Sequence, residues 1–123
     1  MTFYKLLTPD FVVTNPKGTL AQLCHEGWTQ VNVLCSPAGS ARGNHYHKDN
    51  LECFYVVSGQ IKVVFTTIDK SESEERVFTE GEMFAIYPNV VHSLESISDT
   101  VMVALYDKGV EKESGEKDIW SVD

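Results

Sequence analysis

The sequence predicts an all-β fold, a sandwich or small barrel, on three observations. Short stretches rich in β-branched and aromatic residues recur along the whole chain, turn-forming residues separate them, and no segment sustains a 3.6-residue apolar period over three helical turns. In order, the strand-like stretches are FVVT, LAQLC, WTQVNVLC, LECFYVV, IKVVFTTI, RVF, MFAIY, VVHSL and TVMVALY. The turns are marked by Asn15-Pro16-Lys17-Gly18, Ser36-Pro37-Ala38-Gly39, Ser58-Gly59, Thr79-Glu80-Gly81 and Pro88-Asn89. Strands this short and evenly spaced are those of a sandwich or small barrel.

With 123 residues, the chain is read as one domain, 1–123, able to bury roughly two thirds of its unfolded surface. The barrel is expected over about 10–106, followed by a charged tail over 107–123. In LECFYVV, Glu52, Phe54 and Val56 share one face, and Leu51, Cys53, Tyr55 and Val57 share the other. Both faces are largely apolar, so if the first looks into a barrel the second also needs cover, from a second sheet of the chain or from a partner subunit. A homodimer is the expectation. DKSESEE, residues 69–75, reads as a solvated acidic hairpin tip. The tail ends on Ile119, Trp120 and Val122, and either frays or docks that apolar end on the barrel rim or a neighbour.

A net charge of −8 argues against a nucleic-acid partner, whose phosphates demand Lys and Arg, but leaves an anionic small-molecule substrate open if a few cations converge. No apolar run approaches the ~18 residues of a membrane helix, so no membrane partner is expected. The N-terminus MTFYKLLTPD lacks the charge and apolar pattern of a signal peptide, which predicts a cytoplasmic location. Cys24, Cys35 and Cys53 form neither a CxxC pair nor a disulfide framework and read as reduced strand residues.

The stretch GNHYHKDNLECFYVVSG, residues 43–59, carries the chemistry. Side chains alternate along a strand, so His45 and His47 share a face about 6.5 to 7 Å apart at the backbone, while Tyr46 points away. The polar segment Lys48-Asp49-Asn50 lets the chain reverse and bring Glu52 beside the pair. A carboxylate on an inner apolar face needs a partner or a cation. Two imidazoles and a carboxylate with open positions suit a divalent transition metal: Zn, Fe, Mn or Ni. A fourth candidate comes from GEMFAIYPNVVH, residues 81–92, where Pro88-Asn89 turns the chain and His92 opens the next strand. Asn89 can adopt the left-handed conformation there in place of a glycine. The fourth histidine of the chain, His25, lies in a turn beside Glu26 and Gly27 and reads as an ordinary surface residue.

These residues resemble the cupin motifs. Gly39, His45, His47, Glu52 and Gly59 match the first motif at every spacing, and Gly81 and His92, with Pro88 between them, resemble the second; Asn89 and Ser96 depart from its preferred glycine and asparagine. The resemblance implies a cupin jelly-roll β-barrel of six to eight strands with one divalent metal at His45, His47, Glu52 and His92. NPKGTLAQL (15–23) and ARGNHYHK (41–48) are similar to segments of small cupins acting on nucleotide-linked sugars, the 3,5-epimerases, the 3,4-ketoisomerases and the C-terminal cupin of capsular-polysaccharide enzymes. By that resemblance the substrate is a 4-keto nucleotide sugar, and the reaction an epimerisation or ketoisomerisation through an enolate in surface-polysaccharide biosynthesis.

Such chemistry needs a base, an acid and a stabiliser for the oxyanion. Without metal, His45 is the base by this resemblance, with His47 assisting and a tyrosine as acid. With metal, His45 is a ligand and the metal polarises the carbonyl. Glu52 and His92 favour the metal-bound version. Tyr106, on the face shared with Met102 and Ala104, is the candidate acid, against the alternative of a tyrosine with its hydroxyl in water at the barrel mouth. Arg42 and Lys48, with Lys17, are the candidates for a diphosphate. Two other readings stand beside this one: a metal-dependent dioxygenase, favoured by open coordination positions, and a non-catalytic sugar- or metal-binding module.

Overall fold

The computed structural model of the chain describes residues 1–122. Those residues form twelve strands and no helix: β1 (Tyr4–Leu7), β2 (Phe11–Asn15), β3 (Gly18–Gln22), β4 (Gln30–Ser36), β5 (Ala41–Tyr46), β6 (Glu52–Ser58), β7 (Gln60–Thr66), β8 (Ser73–Thr79), β9 (Met83–Ile86), β10 (Val91–Ser96), β11 (Thr100–Tyr106) and β12 (Trp120–Ser121). Two five-stranded antiparallel sheets, ordered β1-β9-β6-β11-β4 and β12-β5-β10-β7-β8, enclose the core of a cupin jelly roll.

Alternation builds that core. In β7, Ile61, Val63 and Phe65 are buried while Lys62 and Val64 between them are only partly so. They meet Phe54 and Val56 of β6 and Met102 and Ala104 of β11 in one apolar cluster. Phe78 of β8 stacks on Phe84 of β9 with ring centroids 3.7 Å apart, joining the two sheets. Of the acidic 69–75 segment, 69–72 lie at the tip of the β7–β8 hairpin and 73–75 already pair in β8, with Asp69 accepting hydrogen bonds from Thr67 and Ser71.

Part of the outer face of β6 is covered by the chain itself. Cys53 and its neighbours Met83, Ala85 and Leu105 form a second buried cluster, against which Leu7, Leu23, Cys24 and Trp28 pack. Around Cys53 the cover comes from Leu7 of β1 and the connection leading into β4, while Val57 on the same face stays exposed. Apolar side chains remain exposed elsewhere, at Val31 and Val33 on β4 and at Phe11, Val12, Val13 and Leu20.

The ends of the barrel differ from the expected 10–106. Its sheets begin at Tyr4, because β1 pairs with β9, and they recruit Trp120–Ser121 beside β5. FVVT and the first part of LAQLC instead form a separate two-stranded hairpin, β2–β3, joined by the predicted Pro16-Lys17 turn. Their β-propensity was legible, but their sheet partner is each other. The charged tail docks: Val110 and Asp118 are buried, and Asp118 donates its amide to the Val110 carbonyl at 2.9 Å.

Candidate metal centre

The structure brings His45, His47, Glu52 and His92 together, with one donor atom from each lying within 4.8 Å of the others. Three elements converge. β5 and the residue after it supply the histidine pair, β6 opens on Glu52, and β10 supplies His92, which pairs directly with His45. The Pro88-Asn89 turn aims His92 inward, and Asn89 takes a φ of 64°, the left-handed conformation expected of it.

A bulge aims His45. His45 pairs with His92 and Gly43 with Ser93, so Asn44 is an extra residue on β5. Both Gly43 (φ 98°) and Asn44 (φ 61°) are left-handed. A Cβ on Gly43 would stand 2.7 Å from the His92 carbonyl oxygen, so the backbones approach this closely only because residue 43 is glycine.

The ring nitrogens are sorted by their partners. His47 donates its Nδ1–H to the Asp118 carbonyl at 2.6 Å, and His92 donates its Nδ1–H to the Val90 carbonyl at 3.0 Å. Both Nε2 atoms therefore face Glu52 Oε1, at 3.1 Å from His47 and 3.0 Å from His92. The His92 approach is too misaligned for a hydrogen bond, and its buried Nε2 has no hydrogen-bond partner among the described residues. His47 Nε2 hydrogen-bonds Glu52 Oε1, whereas His92 Nε2 is left without a partner beside the same oxygen; the three groups have the residue types of a metal ligand set.

Burial raises the Glu52 carboxyl, but His47 and His92 outweigh it and hold the group well below the usual carboxylate range. Burial lowers His47, yet Glu52 and the Asp118 carbonyl raise it overall. His45 is lowered to about 4 by burial and by the neighbouring imidazoles, so at neutral pH it keeps a free lone pair. Burial, then the charge of Glu52, pushes the Tyr106 phenol up, so it retains its proton.

The centre lies in a cavity of about 740 Å³ lined by His45, Glu52, His92, Tyr106 and Arg42, and by Val31–Leu34 of β4. His47 is buried behind this lining, with 3% exposure, which suits a ligand and separates it from any substrate in the cavity. Tyr106 is opposite Glu52 in the β11–β6 register, and at 9% exposure it is a buried wall residue rather than a wet tyrosine at the mouth. Arg42 is exposed on the rim and donates its Nε–H to Ser36 Oγ at 3.1 Å.

Lys48 and Lys17 are not brought to the cavity. Lys48 lies past the end of β5, in the 48–50 turn, and its ammonium sits 3.6 Å from the centre of the Trp120 ring. Lys17 belongs to the separate hairpin, where its amide donates to Asn15 Oδ1 at 2.8 Å. His25, as read, is an exposed residue paired to Asp10 at 2.8 Å. The sequence reading missed Asp118, whose only sequence cue was the apolar end of the tail beside it.

No curated protein matches the chain. Among solved structures, the fold is similar to a mutant of the 3,4-ketoisomerase QdtA from Thermoanaerobacterium thermosaccharolyticum in complex with TDP-4-keto-6-deoxyglucose, at 15% identity and a TM-score of 0.76, covering 94% of this chain and 86% of that one. It is similar to the dTDP-4-dehydrorhamnose 3,5-epimerase of Sulfolobus tokodaii at 17% identity and a TM-score of 0.69, covering 85% of this chain and 75% of that one. It is also similar to the capsular polysaccharide assembling protein CapF of Staphylococcus aureus at 23% identity and a TM-score of 0.68, covering 97% of this chain but only 33% of CapF. These likenesses agree with the jelly roll built from the strands above. A family model, the polysaccharide biosynthesis C-terminal domain, matches residues 13–111, and the chain belongs to that family.

Proposed function

We propose that this cupin binds one divalent transition metal (Zn, Fe, Mn or Ni) at His45, His47, Glu52 and His92 and acts on a 4-keto nucleotide sugar, as an epimerase or ketoisomerase in surface-polysaccharide biosynthesis. The observation that carries the reading is the cavity: a neutral imidazole, His45, and a protonated phenol, Tyr106, line the same space as Glu52 and His92. The orphaned Nε2 of buried His92 fits a metal there. A bound metal would supply Lewis-acid polarisation of the substrate carbonyl.

The protein's own groups divide the remaining work. His45 is the least buried of the four; with a metal bound its lone pair is taken and another group is the base, whereas without metal His45 takes the proton next to the ketone. Tyr106 returns a proton from the wall, and Arg42 at the rim holds a phosphate of the nucleotide by its guanidinium. The ligand in the QdtA mutant complex, TDP-4-keto-6-deoxyglucose, supports this substrate class. Incubation with dTDP- or UDP-4-keto-6-deoxyhexoses in deuterated water, followed by NMR, tests it. Deuterium at C3 or C5 is expected, and no exchange with any of these sugars would reject the reading.

We also read the protein as a cytoplasmic homodimer. Free Cys24, Cys35 and Cys53 suit a reducing compartment. Exposed Val31 and Val33 beside the cavity, together with the apolar β2–β3 hairpin, suit burial against a second copy. Light scattering should give twice the chain mass, and Val33→Asp should shift it toward the monomer.

A further inference from the structure

The family match ends at residue 111, yet the residue that grips the metal centre from outside lies beyond it. We infer that Asp118 is a positioning residue for His47: its carboxylate clamps the backbone that follows the histidine, and its carbonyl fixes the imidazole ring. The inference rests on the metal-binding reading above only for its functional consequence.

Both ends of Asp118 are engaged. It is 0% exposed. Its Oδ1 accepts the Lys48 amide at 2.8 Å and the Trp120 indole Nε1–H at 3.0 Å. Its Oδ2 accepts the Asp49 amide at 3.0 Å, the Asn50 amide at 3.1 Å and the Asn50 side-chain Nδ2–H at 2.8 Å. Five donors on one carboxylate hold the 48–50 turn, the segment through which the chain reverses between His47 and Glu52. The carbonyl of the same residue takes the His47 Nδ1–H at 2.6 Å. With Nδ1 committed, Nε2 is the nitrogen aimed at Glu52.

The contrast with His92 shows why this belongs to the tail. His92 is held by a carbonyl two residues away, whereas the partner of His47 is 71 residues further along the chain. The tail is anchored on both sides of Asp118, by its amide bond to Val110 and by pairing of Trp120 with Tyr46 and Ser121 with His45. The Lys48 ammonium over the Trp120 ring closes the strap onto the turn. Ligating histidines depend on such outer partners for tautomer and ring orientation.

The test compares the full chain with its Asp118→Asn variant. Asparagine keeps the side-chain size but turns an acceptor oxygen into an NH2 group facing donors. In the metal-free wild type, long-range proton–nitrogen NMR should show Nδ1 of His47 protonated and hydrogen-bonded. In Asp118→Asn these ring signals should shift toward a tautomer mixture, and Co(II) affinity should fall about ten- to hundredfold. Trp120→Phe, which removes one donor and leaves the carboxylate, should move both readouts less but in the same direction, and it serves if the Asn variant does not fold. Phe78→Leu, remote from the centre, should lower the melting temperature without changing either readout. A folded Asp118→Asn variant with unchanged His47 signals and unchanged Co(II) affinity, or a Trp120→Phe variant with unchanged signals where the Asn variant does not fold, overturns the inference. If the wild type takes up no Co(II), the metal reading fails, and the His47 ring signals alone then decide the role of Asp118.

Discussion

Glu52 Oε1 lies 3.0 Å from His92 Nε2, both buried, in a geometry that makes no hydrogen bond. An acceptor nitrogen and a carboxylate oxygen left facing each other inside a barrel are costly unless a proton or a cation lies between them. That relationship organises the site and leads to the first prediction.

Glu52→Gln should abolish stoichiometric metal. The amide keeps the shape of the side chain but offers no anionic ligand, so metal content measured by elemental analysis after Zn(II) loading should fall at least about tenfold from near one per chain. Equal loading of wild type and variant would rule out Glu52 as a ligand.

The metal-free protein should lose stability in mild acid through His45. Its folded value of about 4 lies below the ~6.5 of an unfolded histidine, so between those values the unfolded chain binds the extra proton. The contribution is intact above about pH 6.5 and is lost as pH falls toward 4. Urea midpoints measured across this window should therefore drop with acid, and the slope should be shallower in His45→Gln. His47, raised by Glu52 against the opposing effect of burial, has the opposite sign: its contribution is present below its unfolded value and fades as pH rises through the folded one.

Gly43→Ala should damage fold and site together. The left-handed φ of 98° and the 2.7 Å approach to the His92 carbonyl leave no place for a Cβ, so the loss should be about 1 to 3 kcal/mol in chemical denaturation. Because the same bulge sets the pairing of His45 with His92, Co(II) affinity should fall as well. Alanine at Gly115, where a Cβ would meet nothing within 4 Å, should leave metal affinity unchanged despite its φ of 88°.

Tyr106→Phe should separate chemistry from structure. The ring fills the cavity wall and packs at 5.4 Å against His47, and phenylalanine preserves that contact. Removing the hydroxyl should slow deuterium exchange by about 10² to 10⁴, the usual worth of a positioned acid, with little change in melting temperature. Undiminished exchange would assign the acid elsewhere.

The four candidate ligand residues were legible because each rests on local geometry. Strand alternation puts His45 and His47 on one side, the polar 48–50 segment turns the chain, and Asn89 supplies the left-handed residue before His92. The β5 bulge was harder to see, since Gly43 and Asn44 read as strand residues and only the opposing β10 backbone shows that one of them is extra. Charge alone points Lys48 at the substrate, but the turn after β5 sets its ammonium over Trp120, a residue 72 positions along the chain.

By itself the sequence determined the all-β class, the cupin motifs and the residue types that can hold a divalent metal, because periodicity, turn residues and short spacings act within a few residues of one another. The tertiary structure alone decided which faces the barrel closes over, that β2 and β3 pair outside it, and that Asp118 at the end of the tail holds His47. Those outcomes depend on contacts between segments tens of residues apart, where burial of whole surfaces chooses the partner and no local pattern specifies it.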